Sequence, residues 1–124
     1  METIEFMGNV YASDCPTRQI LDRIGDKWTA LIIGLLEDEK ILRFSELLHG
    51  INGISQKMLT QTLRNLERDG IVTRKVYAEV PPRVEYTLTE LGETLAEPLR
   101  VIRDWAEANI EAVTGAQLEY DQRD

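Results

Sequence analysis

Ser45–Gly70 reads SELLHGINGISQKMLTQTLRNLERDG, and its pattern decides the fold. A brief helix over Ser45–His49 turns Leu47 and Leu48 inward and is closed by Gly50. Gly53-Ile54-Ser55 is a turn, and Ser55 is a good N-cap for a second helix over 55–69. Gly70 can take the left-handed position after that helix, with Leu66 and Ile71 making the apolar contact of a Schellman ending. At about 100° per residue from Ser55, Met58, Leu59, Thr62, Leu63 and Leu66 share one sector. Lys57, Thr60, Gln61, Arg64 and Arg68 fall opposite, at about 140–240°. Every member of that outer sector is a cation or a hydrogen-bond donor, and Glu67 stands only at its edge.

Toward the C-terminus, Ile71–Tyr77 and Arg83–Leu88 are rich in Val, Tyr and Thr and read as the strands of a hairpin, or wing, spanning 71–88. Pro81-Pro82 marks the connection, since proline cannot donate to a ladder. Val72, Val76, Val84 and Tyr86 are expected to tie the hairpin to the body, leaving Arg74, Lys75 and Arg83 for charge. Thr89 caps a last helix over 89–114 with apolar Leu91, Leu95, Leu99, Ile102, Trp105, Ile110 and Val113. Pro98 should bend it or cost it one hydrogen bond. Residues 115–124 are polar and read as a flexible tail.

Toward the N-terminus, Ile41–Arg43 is a possible short strand, and Asp26 a plausible cap for a helix carrying Trp28, Leu31, Ile32, Leu35 and Leu36. That helix is apolar nearly all round and belongs at the centre of the core. Cys15-Pro16 starts an earlier helix, with the proline where its missing N–H costs nothing, and Gly25 ends it. Residues 1–13 have no sustained period and read as an arm ahead of one domain over 14–114. The fold class is mainly α with a small β hairpin: a winged helix-turn-helix domain with a long C-terminal dimerisation helix.

Composition narrows the function. The chain has 124 residues, 43% apolar and 29% charged, within the globular range. No apolar run approaches the roughly 20 residues of a membrane span, and the acidic start Met1-Glu2-Thr3-Ile4-Glu5 lacks the character of a signal peptide. These features point to a cytoplasmic protein. One cysteine and one histidine, Cys15 and His49, argue against a metal site, an internal disulfide or a His-dependent triad, and no cofactor is expected. The net charge is −8, yet Ser55–Arg83 carries six basic and three acidic residues, a cationic island in an acidic chain.

The island suits duplex DNA. One helix fits a major groove, where Arg or Lys pairs with guanine and Gln with adenine. The free N–H groups near Ser55 suit a phosphate. Arg83, beside the proline-stiffened tip, is the candidate for a minor groove. The plainer alternatives are a solvated helix face and an edge hairpin whose cations block aggregation.

Cys15-Pro16, Asp26-Lys27-Trp28-Thr29, Arg43-Phe44-Ser45-Glu46-Leu47, Gly53-Ile54-Ser55-Gln56-Lys57-Met58-Leu59-Thr60, Leu63-Arg64-Asn65-Leu66-Glu67-Arg68-Asp69-Gly70 and Pro81-Pro82-Arg83-Val84-Glu85-Tyr86-Thr87-Leu88-Thr89 form a set of blocks in this order. Together they resemble the HxlR-type transcriptional regulators, relatives of the MarR group. The resemblance runs from about Asp14 to Ile110. It implies a homodimeric bacterial DNA-binding regulator, not an enzyme. The candidate DNA-binding residues are Arg43, Ser55, Gln56, Lys57, Thr60, Gln61, Arg64, Arg68, Arg74, Lys75 and Arg83.

Length argues for pairing. A last helix of about 25 residues spans near 37 Å, more than a small winged domain covers. Its stripe needs a second surface, and Ile20, Leu99, Ile102, Trp105 and Ile110 are the candidate interface residues of a homodimer. A twofold particle would put two reading helices about 34 Å apart on a pseudo-palindromic operator. Cys15 stands at a helix start, where the dipole favours an anion, with Arg18 in the same turn and Asp14 opposing. The resemblance adds that a cysteine there senses electrophiles or oxidants in some members. A capping cysteine without a signalling role is the alternative. Two further readings stand beside DNA regulation: a winged-helix module that binds proteins without reading DNA, and an enzyme with Cys15 as nucleophile, for which no nearby base is evident.

Overall fold

A computed structural model describes residues 9–123; the first eight residues of the expected arm, and Asp124, lie outside the described residues. Five helices and three strands follow in the order α1 (Pro16–Ile24), α2 (Lys27–Glu39), β1 (Leu42–Arg43), α3 (Phe44–Gly50), α4 (Gln56–Arg68), β2 (Val72–Tyr77), β3 (Arg83–Leu88) and α5 (Glu90–Asp121). The fold is a winged helix-turn-helix with a long C-terminal helix.

Local chemistry sets most boundaries. Asp26 caps α2 by accepting the Trp28 N–H at 2.7 Å, and Ser55 caps α4 by accepting that of Met58 at 3.1 Å. Thr89 caps α5, accepting the Gly92 N–H at 3.0 Å. Glu46 folds back on α3 so that its Oε1 accepts the Arg43 N–H at 2.8 Å. α4 closes as a Schellman motif: the Ile71 N–H reaches the Leu66 carbonyl at 2.9 Å and the Gly70 N–H that of Glu67 at 3.1 Å. Gly70 has φ +77°, the left-handed conformation that ending requires.

The core is built on α2, whose Ile32, Ile33 and Leu36 are fully buried, as are Leu47 of α3 and Leu59, Leu63 and Leu66 of α4. The sheet order is β1-β3-β2, antiparallel throughout, with Leu42 opposite Tyr86 and Val72 opposite Leu88. Val72 and Tyr86 anchor the base of the wing in the core. Val76 does not join them: it is exposed on the edge strand β2, while Val84 opposite it on β3 packs against the core. Met58, expected inward, is also exposed, standing in the first turn of α4.

One expectation about α5 changes. The helix does not stop near Thr114 but continues to Asp121, so residues 115–121 of the expected tail are helical. It runs through Pro98 as one helix, at the cost of the hydrogen bond that the proline, having no N–H, cannot donate to the Thr94 carbonyl. Its buried residues are Gly92, Ala96 and Leu99, all in its first third. From Arg100 onward about 33 Å of helix carries no buried residue, although Arg100 and Arg103 still reach α2 at Glu37 and Gly34.

Candidate nucleic-acid interface

The outer face of α4 forms as its periodicity requires. Leu59, Thr62, Leu63 and Leu66 are buried, which forces Gln56, Lys57, Gln61, Arg64 and Arg68 outward, all exposed, with Thr60 half-buried between them. Thr62 satisfies its buried hydroxyl by donating to the Met58 carbonyl at 2.7 Å. Among the described residues, Lys57, Arg64 and Arg68 enter no salt bridge; Gln61 donates to Asn65 Oδ1 one turn on, at 3.5 Å. The ridge therefore presents unspent cations and amides to solvent. Exposed Ser55 stands at its start, and Arg43, also exposed, lies at the head of α3.

The wing behaves differently. Side chains alternate across the sheet, so Arg74 shares a face with Tyr86 and points toward α4, where its Nε lies 3.5 Å from Glu67 Oε1. Phe44, Thr60, Leu63, Arg64 and Tyr86 complete a cleft of about 270 Å³ there. Burial pushes the Tyr86 phenol up, an effect opposed by the Arg74 guanidinium. On the other face, Lys75 Nζ and Arg83 Cζ lie 4.8 Å and 4.0 Å from the centroid of the Tyr77 ring.

Arg83, the candidate for a minor groove, is engaged by the wing itself: Nη2 lies 3.3 Å from Glu79 Oε1 and Nε 3.7 Å from Glu85 Oε2, with its cation on Tyr77. Glu79 and Glu85 flank it because the hairpin folds back between them. Sequence alone shows three charges near a turn, not that two of them neutralise the third.

Leu99, expected at a dimer interface, is a correction. It is 8% exposed and belongs to the chain's own core, not to a surface left for a partner. Ile20, Ile102, Trp105 and Ile110 are exposed, at 46%, 61%, 61% and 56%. Cys15 sits at the start of α1 as expected, but is only 6% exposed and makes no side-chain capping bond. Sequence reasoning missed two pairings that hold the frame: Arg23 with Asp69 at 2.6 Å and Arg100 with Glu37 at 2.8 Å. No local spacing signals either, since each joins distant helices.

Comparison with known proteins agrees with this geometry. The family model described as HxlR-like helix-turn-helix matches residues 23–114. The HTH-type transcriptional regulator YtfH of Escherichia coli strain K12 is 43% identical over 112 residues, covering 90% of this chain and 88% of that protein. The solved structure of YtfH from Salmonella typhimurium has a TM-score of 0.84 at 41% identity, over 89% of this chain and 97% of that one. The redox regulator HypR in its reduced form has a TM-score of 0.74 at 42% identity, over 81% and 98%.

Proposed function

We propose, from the premise that the chain belongs to the HxlR-like helix-turn-helix family of transcriptional regulators, that it binds a pseudo-palindromic operator as a homodimer and reads it with α4. The observation that carries this reading is the α4 ridge, where Lys57, Gln61 and Arg64 stand exposed on a helix whose opposite side is locked into the core. Ser55, Gln56, Thr60 and Arg68 extend the contact along the groove, and Arg43 lies beside its start. On the wing, Lys75 and the exposed part of Arg74 serve the flanking phosphates. Arg83 shapes the tip and reaches DNA only if it gives up Glu79 or Glu85.

The stretch of α5 beyond Arg100 supplies the dimer contact. Ile102, Trp105 and Ile110 are too large an apolar surface for a monomer to leave in water along a helix that its own domain does not cover; Ile20 on α1 adds to it. The domain over 14–114 then extends to Asp121, the last residue of α5. The resemblance to HypR supports a redox or electrophile response through Cys15. At 6% exposure the thiol reacts after the chain around it opens. Cys15→Ser should then abolish any diamide-induced change in DNA affinity. The working compartment is the cytoplasm.

Footprinting on the intergenic DNA beside the gene, repeated across salt concentrations, tests the reading. Affinity falling on a log–log plot with a slope near −0.9 per phosphate neutralised, with protection in two half-sites one turn apart, is expected. A flat salt dependence would favour the protein-interaction module. Sedimentation of Trp105→Glu, expected to give monomers from a dimeric parent, tests the pairing.

A further inference from the structure

Strand β3 is the middle strand of the sheet, and it carries Glu85. Across the two ladders Glu85 lies directly opposite Arg43 of β1 and Lys75 of β2. Opposite residues share a face of a sheet, and so do residues two apart on one strand. Arg43, Lys75, Arg83 and Glu85 therefore stand together on the face turned away from buried Leu42, Val72 and Tyr86. Tyr77, opposite Arg83, completes the group, its ring holding Lys75 Nζ at 4.8 Å and Arg83 Cζ at 4.0 Å. Arg83 Nε is buried without a hydrogen-bond partner among the described residues, and the Glu85 carboxylate answers its charge at 3.7 Å. Arg43 and Arg83 also line one cleft of about 400 Å³ between the head of α3 and the wing tip. Arg43 and Lys75 are exposed, whereas the Glu85 side chain is only 20% exposed. The cations reach solvent and the carboxylate stays beneath.

We propose that Glu85 is a positioning residue for DNA binding, an anion that gathers Arg43, Lys75 and Arg83 into one seat for backbone phosphate. This role deepens the DNA reading above and rests on it. Neighbouring strands lie about 4.8 Å apart, so cations on three of them repel one another at short range. Long side chains with nothing to hold them also keep rotamer freedom that binding must remove. A carboxylate among them offsets the repulsion and orders the side chains beforehand. Three cations against one anion still leave an excess of positive charge for phosphate, and Arg83 joins the seat by giving up Glu79 while keeping Glu85. Simple proximity predicts the reverse, since an anion on a DNA-facing surface repels the ligand. The two accounts differ in sign at Glu85. Glu79 supplies the contrast: it is half exposed, lies in the connection beyond the strands and pairs with Arg83 alone, so its charge only repels.

Fluorescence anisotropy of the full chain on the intergenic duplex, titrated across salt concentrations, tests the role. Glu85→Gln is nearly isosteric and removes a negative charge, yet it is expected to weaken binding about three- to tenfold at low salt. Its salt slope should be shallower by about 0.9 for each phosphate no longer held. Glu85→Asp keeps the charge and should bind within about twofold of the parent, at the parent's slope. Glu79→Gln should bind more tightly than the parent. A merely structural defect lowers the active fraction and leaves the slope unchanged, and melting temperatures of the free variants identify it. Equal or tighter binding by Glu85→Gln overturns the proposal. Weaker binding at an unchanged slope does so too, as does Glu85→Asp falling as far as Glu85→Gln. A parent that binds no duplex overturns the DNA reading and this role together; a parent that binds while Glu85→Gln matches it overturns this role alone.

Discussion

Arg23 near the end of α1 and Asp69 at the end of α4 meet across 46 positions of chain, with Nε 2.6 Å from Oδ2 and Nη2 3.4 Å from Oδ1. Asp69 is the C-cap of α4, where the helix dipole disfavours an anion, and its side chain is 9% exposed. The arginine removes that conflict and fastens α1 to α4. Arg23→Ala should therefore cost about 1–3 kcal/mol, more than a surface pair and less than a fully buried one. Asp69→Asn should cost less than Arg23→Ala, because the amide leaves no uncompensated charge at the helix end. Urea unfolding of both variants checks the order; equal or negligible losses would mean the pair is ornamental.

Two glycines of α5 should respond in opposite directions to alanine. A Cβ at Gly92 would lie 2.2 Å from the Ile71 carbonyl oxygen, which already accepts the Thr89 N–H at 3.0 Å. That oxygen is backbone and has little room to retreat, so Gly92→Ala should destabilise by about 3 kcal/mol. Gly115 meets nothing within 4 Å and lies inside the helix, so Gly115→Ala should stabilise it by up to about 1 kcal/mol. Thermal melts of the two single variants give the comparison.

Lys40 holds φ +71° and ψ −53° at the end of α2, and the Ile41 N–H reaches the Glu39 carbonyl across it at 2.9 Å. This is the strained form of the three-residue turn, unfavourable for any side chain with a Cβ. Lys40→Gly should raise stability by about 1 kcal/mol, while Lys40→Ala should not. A lower melting point for the glycine variant would show that the lysine stem contributes more by packing than the turn costs.

Arg64 and Arg83 should separate in DNA assays. Arg64→Ala removes an unpaired exposed cation and should cost about 1–3 kcal/mol of binding, with relaxed base preference if it pairs with guanine. Arg83→Ala frees Glu79 and Glu85 at the wing tip, so its loss should come from added negative charge near phosphate. Glu79→Gln should then strengthen binding modestly at low salt. Retardation assays at two salt concentrations distinguish the cases: the Arg83 effect fades with salt, and the base-reading part of the Arg64 effect persists.

Helix α4 was legible because its determinants lie within a few residues of one another. Ser55 meets the backbone N–H of Met58, Gly70 allows the left-handed turn that ends α4, and the leucine period orients Lys57, Gln61 and Arg64 without reference to distant residues. The length of α5 was underestimated because composition past Thr114 is polar, and polarity does not distinguish a solvated helix from a frayed tail. Leu99 and Ile102 look alike in an apolar stripe. Leu99 is buried in the core and Ile102 is exposed although Arg103 beside it still reaches Gly34 of α2, so the difference is set by which face of α5 turns toward α2.

What the sequence by itself determined was the order of elements, their caps and the outward cationic ridge, since these depend on hydrogen bonds and periodicity along short stretches of chain. Only the tertiary structure decided that Arg83 is paired with Glu79 and Glu85, that Cys15 is covered, that Arg23 holds Asp69 and that the Thr29 hydroxyl has no partner among the described residues. Each of those outcomes depends on which side chain arrives from another element, and the packing of helices and strands in three dimensions sets that meeting.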